Sequence, residues 1–198
     1  ACGYDSARYW MHNNMITING QKMGKSLGNF ITLEQLTTGA HPLLEQAYSP
    51  MTIRFFILQA QYRSTLDFSN EALQAAEKGY ERLMKAVSTL KKIKPSEASS
   101  VDISDVEARC TAAMDDDLNS PMVISELFDC VRTINQIYDG KQTISAADLT
   151  ELQRVVDLFV FDILGLRDDL AGDNSQMLSS VVDMILNIRM EAKNAKDW

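Results

Sequence analysis

A chain of 198 residues, 45% hydrophobic and 23% charged, has an ordinary globular composition with room for one large domain or two small ones. Its net charge of −8 argues against broad, sequence-independent nucleic-acid binding, which needs a basic face, but leaves room for local contacts. No apolar run reaches membrane length and no signal peptide is expected. Three scattered cysteines, none in a C-x-x-C pair, exclude a disulfide framework and a zinc knuckle and point to a reducing cytoplasm. Both ends lack a cap or polar tail, so a piece of a longer chain is expected.

The first thirty residues read differently from the rest. Asn19-Gly20 is a strong hairpin signal because both residues tolerate positive φ, which predicts strands over 8–18 and 21–23. From there the punctuation is helical. Thr32 to Gln35 fits a capping box, Gly39 a helix stop, and Pro42 and Pro50 first helical positions. Ile53, Phe56, Ile57 and Ala60 form one helix face, and "YRSTLDFS" breaks it. Ser69 caps a long helix with the inward stripe Leu73, Ala76, Tyr80, Leu83, Val87 and Leu90. "KKIKPSEASS" reads as a linker.

Beyond it, Ser104 to Glu107 predicts a second capping box, with Val106, Cys110 and Met114 on one face. Ser120-Pro121 opens a helix with Ile124, Leu127, Phe128, Val131 and Ile134 inward, ended by Gly140. Ser145 to Asp148 opens another. It becomes apolar nearly all round at "LFVFDIL", which predicts the centre of a bundle, and Gly165 ends it. A last helix from about Ser175 carries Leu178, Val181, Val182, Ile185 and Ile188. The expected fold is mainly α: a short β-hairpin, a helical linker region, then an antiparallel helical bundle. The division is 1–68, 69–101 and 102–198.

The chemistry lies in "QKMGKSLGN", residues 21–29. Lys22 and Lys25 are compact ammonium groups on flexible stems, suited to follow the shifting charge of a phosphate chain. Gly24 and Gly28 let the backbone turn. Lysine pairs in loops are more often simply solvated, so charge alone does not decide the matter.

The full string does more. "KMGKSLGN" resembles the KMSKS signature of class I aminoacyl-tRNA synthetases. "ARYWMHNNMITINGQKMGKSLGNF", "IRFFILQAQYRSTLDFS" and "AMDDDLNSP", in that order, resemble the cysteinyl-tRNA synthetase family and the opening of its DALR domain. The likeness weakens after about residue 140. It implies a class I catalytic-domain end with the lysine loop and a stem-contact region over 1–68, and a DALR-type bundle from 102. It also implies a ligase that activates cysteine with ATP and Mg and transfers it to tRNA(Cys), in the cytoplasm, with a monomer favoured. The resemblance gives Lys25 the ATP contact and Lys22 an assisting role. Met23, Gly24, Ser26 and the loop amides would order the phosphates. Gly24 stands where the family usually has serine, which loosens the loop without removing a charge.

Two expected parts are missing from this sequence. The histidines, His12 and His41, lie in no H-x-G-H element. The zinc site that the resemblance implies for the substrate sulfur has its ligand-bearing stretch before Ala1, which leaves Cys2 an improbable ligand. Cys110 and Cys130 read as core residues. His12 beside Trp10 is a candidate for the nucleotide pocket, though a structural role is commoner. Tyr62 and Arg63 read as joint packing before RNA contact. Asp115, Asp116 and Asp117 read as carboxylates at a helix N-terminus before a cation site. Two other functions stay open: the related cysteine ligase of mycothiol synthesis, and a non-catalytic tRNA-binding helical module.

Overall fold

In the computed structural model, residues 7–169 are described. They form a mainly α-helical fold with one small sheet. The chain separates into a compact unit ending at Leu166 and a second beginning at Arg167.

Strand β1 (Ile16–Ile18) turns through Asn19-Gly20 into β2 (Gln21–Lys22), with Thr17 opposite Lys22 and Ile18 opposite Gln21. Asn19 and Gly20 have φ of 50° and 77°, the pair of left-handed conformations this turn needs. The hairpin is shorter than expected, since residues 8–15 form no strand. A third strand, β3 (Leu66–Asp67), pairs parallel to β1 with Ile16 opposite Leu66. The sequence reading treats it only as a helix break, because two residues carry no visible period. Asp67 also accepts from the Thr17 hydroxyl at 2.6 Å and the Gly20 N–H at 2.8 Å, which pins the hairpin turn.

Helix α1 (Leu33–Thr38) begins with the expected capping box: Thr32 and Gln35 satisfy each other's backbone N–H groups. Pro42 starts no helix. It lies in a turn, and the Tyr48 N–H bonds back to the Leu36 carbonyl at 2.9 Å, which holds this segment across α1. Pro50 does open α2 (Pro50–Leu58), behind the capping hydroxyl of Ser49. The buried arc of α2 is shifted from the expected one. Phe55 is fully buried, while Ile57 is 45% exposed. The cause is that α2 packs on two sides: Phe56 meets Phe68 with centroids 4.8 Å apart, and Phe55 meets Tyr80 and Phe128.

Helix α3 (Asn70–Leu90) is capped by Ser69 and buries all six stripe residues, from Leu73 to Leu90. Its Gly79 sits where a Cβ would come within 3.1 Å of the Phe55 ring, so a small residue lets α2 approach. The segment after α3 is no loose linker. Ser96 and Ser100 donate backbone N–H groups to Ile144 and Thr143, at 2.7 and 3.0 Å, and the Ser99 hydroxyl bonds Asp148.

Helix α4 (Val106–Asp115) lacks the expected box. The Ser104 hydroxyl donates to Asp102 instead, Asp105 makes no side-chain cap, and Glu107 pairs with Arg154. Helix α5 (Ser120–Tyr138) is capped one residue earlier than expected, by Asn119. It buries Ile124, Leu127, Val131 and Ile134, with Val123 and Ile137 added and Phe128 only partly covered. Gly140 follows with a positive φ of 73°. Helix α6 (Ala146–Asp157) has the expected Ser145 cap and passes into a π-helical turn over Leu158–Ile163. That turn buries Phe159 and Val160 and leaves Ile163 39% exposed, so the segment is not buried all round. One apolar cluster runs from Ile18 to Leu166, with α3 packed against both α2 and α5. The helix expected from about Ser175 lies outside the described residues.

Candidate functional site

The lysine loop leaves the sheet at β2. Met23 continues the ladder for one step, its N–H bonding the Ile16 carbonyl at 3.1 Å, and its side chain packs against the core. A short 3-10 turn over Lys25–Leu27 follows, closed by the Leu27 N–H on the Gly24 carbonyl at 3.0 Å. Lys22, Lys25 and Ser26 are exposed. The Lys25 ammonium rests 5.4 Å from the centre of the Phe30 ring, a cation–π contact at an exposed site. Gly24 has φ −165°, extended backbone open to any residue, and a Cβ there would come no closer than 3.8 Å to Leu27. Glycine at that position is therefore no requirement of this loop conformation.

One contributor escaped the sequence reading. Asn29, 9% exposed, accepts from the Gly24 N–H at 2.9 Å and donates to the Lys22 carbonyl at 3.1 Å. Its only signal is an Asn after a turn glycine. The two glycine amides, Gly24 and Gly28, are occupied within the loop, on Asn29 and on the Lys25 carbonyl. Beside the loop lies a cleft of about 460 Å³, lined by Ile18, Gln21, Leu27, Asn29, His41 and Leu43 among others. His41 turns its Nδ1 to the Leu43 N–H at 3.2 Å. His12 stacks on Trp10, with centroids 6.3 Å apart, and both are exposed rather than gathered into this cleft.

Tyr62 and Arg63 are taken up by a joint. The Asp117 carboxylate accepts from the Tyr62 hydroxyl at 2.7 Å and pairs with Arg63 at 2.6 Å, and the Asp117 carbonyl accepts from Gln61. That carboxylate pushes the Tyr62 phenol pKa up. On the other side, Asn14 bonds the Tyr62 and Arg63 carbonyls, so the same dipeptide ties the stretch before β1 to the α4–α5 turn. The three aspartates end α4 instead of starting α5: Asp115 is its last residue, Asp116 follows, and Asn119 caps α5. Among the described residues no three His, Cys, Asp or Glu side chains gather as a metal site, so those residues offer zinc no ligand set. Cys110 and Cys130 are buried free thiols, pushed up to about 11 and about 12 by burial. Among the described residues no helix is long and apolar enough to cross a membrane.

Comparison with known proteins bears on both halves of this arrangement. Residues 1–78 match the family described as tRNA synthetases class I (C) catalytic domain, and residues 109–167 match the DALR domain. A cysteine–tRNA ligase of Parabacteroides distasonis is 63% identical over 198 residues, covering 99% of this chain and 40% of its own length. One from Porphyromonas gingivalis is 58% identical over the same span, and one from Chlorobaculum tepidum 37% identical over 206 residues, each again covered for 40% of its length. The likeness thus runs well past residue 140, where the sequence motifs fade. The chain spans about 40% of the length of the curated relatives it matches. With a lysine loop on the class I match and a helical bundle on the DALR match, the chain belongs to the cysteinyl-tRNA synthetase family.

Proposed function

We propose that this chain supplies the lysine loop and the helical region of a cysteine–tRNA ligase, which activates cysteine with ATP and transfers it to tRNA(Cys). The observation that carries the reading is the exposed pair Lys22 and Lys25 on a loop whose backbone is held from behind. In activation the cysteine carboxylate attacks the α-phosphorus of ATP, and pyrophosphate leaves with the charge that develops on it. A second ammonium arriving as that charge grows lowers the barrier more than one bound equally in the ground state. Lys25, whose ammonium lies over the Phe30 ring at an exposed site, is placed to swing from that ring to the phosphates, with Lys22 and Ser26 beside it. Magnesium would accompany the nucleotide.

The proposed division is catalytic-domain end over 1–68, long connecting helix and linker over 69–101, and DALR-type bundle from 102. Lys85, Lys91, Lys92 and Lys94, all exposed around the C-terminal end of α3, are the proposed contacts to the tRNA backbone. This chain carries no H-x-G-H element, so it acts as part of a longer ligase. Cysteine-dependent exchange of pyrophosphate into ATP tests the reading. The longer protein that includes these residues should catalyse it, and the 198-residue chain alone should not. A longer protein that exchanged pyrophosphate with another amino acid and not with cysteine would overturn it.

A further inference from the structure

We propose that Asn29 is the positioning residue of the lysine loop: its single carboxamide holds the backbone at Lys22 and Gly24 and thereby sets where the two ammonium groups meet a polyphosphate. The inference rests on the reading of the loop as a phosphate site.

A carboxamide carries a donor and an acceptor on one short arm. Here both are used on the same loop, Oδ1 on the Gly24 N–H at 2.9 Å and Nδ2 on the Lys22 carbonyl at 3.1 Å. The two contacts bracket Met23 and lie directly between the lysines. Gly28, with φ 69°, turns the chain so that the next side chain folds back over the loop. At 9% exposure, water competes poorly for these bonds. Aspartate keeps the acceptor for Gly24 but sets an oxygen against the Lys22 carbonyl, and alanine leaves both backbone groups without this partner. Lysine stems are long and mobile, so their reach is useful only if their Cα positions are fixed. A misplacement of about 1 Å in such a group can cost on the order of 10²-fold in rate. Gly24 does not set the loop, because its φ of −165° is ordinary extended backbone.

The test has two arms. In the first, tryptic cleavage after Lys22 and Lys25 is timed in the 198-residue chain, for wild type, Asn29→Ala and Asn29→Asp. Asn29→Ala should speed both cuts about tenfold or more, as expected when two hydrogen bonds that close a loop are lost. Asn29→Asp, which keeps one bond, should fall between, and helical circular dichroism should stay unchanged in both. In the second, cysteine-dependent pyrophosphate exchange is measured in the longer ligase. Asn29→Ala should lower kcat about 10–100-fold with the KM for cysteine unchanged, and Asn29→Asp should recover part of the loss. Unchanged cleavage rates would overturn the clamp itself. Faster cleavage with an unchanged kcat would overturn the positioning role and leave the phosphate reading intact. If Lys25→Ala also left exchange unchanged, the phosphate reading would fall and the positioning role with it, whatever the first arm gave.

Discussion

The lysine loop and the helical core are stabilised by different physics, and they should fail differently. The core is held by area: Phe55, Tyr80, Leu127 and Phe159 are almost wholly removed from water, and no one contact among them is decisive. The loop buries little. It keeps its shape through a few polar contacts to backbone: Asp67 on the hairpin turn, Asn29 on Lys22 and Gly24. On the proposed reading, chemistry that follows a moving charge needs side chains free to travel, and the loop carries exposed lysines on a backbone held from behind. Damage to the core should therefore appear as lost stability, and damage to the loop as lost rate.

Phe55→Ala is the harshest test of the core side. The ring is 0% exposed and lies against Tyr80 and Phe128. Its loss should lower stability by about 3–5 kcal/mol in a urea titration. A loss under about 1 kcal/mol would mean that α2 and α3 do not meet through this ring. A pair of glycines separates the two regions at smaller cost. Gly39 has φ 70°, and a Cβ there would lie 2.9 Å from the Ala47 nitrogen, so Gly39→Ala should lose more than about 1 kcal/mol. Gly24→Ser, on open extended backbone, should stay within about 0.5 kcal/mol. Equal losses at both would contradict the described loop.

Acid gives a smaller effect. The Ser99 and Ser145 hydroxyls hold the Asp148 carboxyl below its ordinary value of 3.8. A depressed folded pKa adds stability that is complete above the unfolded value and is lost as pH falls through the folded one. Asp148→Asn should therefore flatten the stability–pH curve below about pH 4 and leave its shape unchanged at neutrality. Smallest of all, Cys110 and Cys130 should resist alkylation at pH 8 in the native protein, because burial raises both thiols far above that pH. Rapid labelling of their peptides by mass spectrometry would show the bundle opening more readily than its burial implies.

Sequence pattern revealed the helices well wherever one face alone is buried. All six stripe residues of α3 are inward, the caps at Thr32, Ser69 and Ser145 hold, and Pro50 opens α2 as expected. It misplaced the face of α2, which packs on two sides, and the cap of α4, where Ser104 turns to Asp102 rather than to the helix. The α4 cap turns on a carboxylate only two residues away, but the α2 face depends on Tyr80 and Phe128, which are distant in sequence. The same holds for β3, whose two residues pair with a strand fifty positions earlier, Ile16 against Leu66. At the candidate site, charge and glycine spacing drew attention to Lys22, Gly24 and Lys25, and the resemblance alone gave them a proposed role. Asn29 stayed hidden, because its role is a pair of hydrogen bonds to backbone and has no periodicity to reveal it.

The central claim is that the loose ammonium of Lys25 serves the phosphates of ATP. The direct measurement is cysteine-dependent pyrophosphate exchange by the longer ligase with Lys25→Ala, taken together with its cysteine KM and its thermal unfolding. The exchange rate should fall about 10²–10³-fold, with cysteine KM and unfolding midpoint unchanged. An unchanged rate accompanied by weaker cysteine binding would contradict the claim and place Lys25 on the amino acid instead.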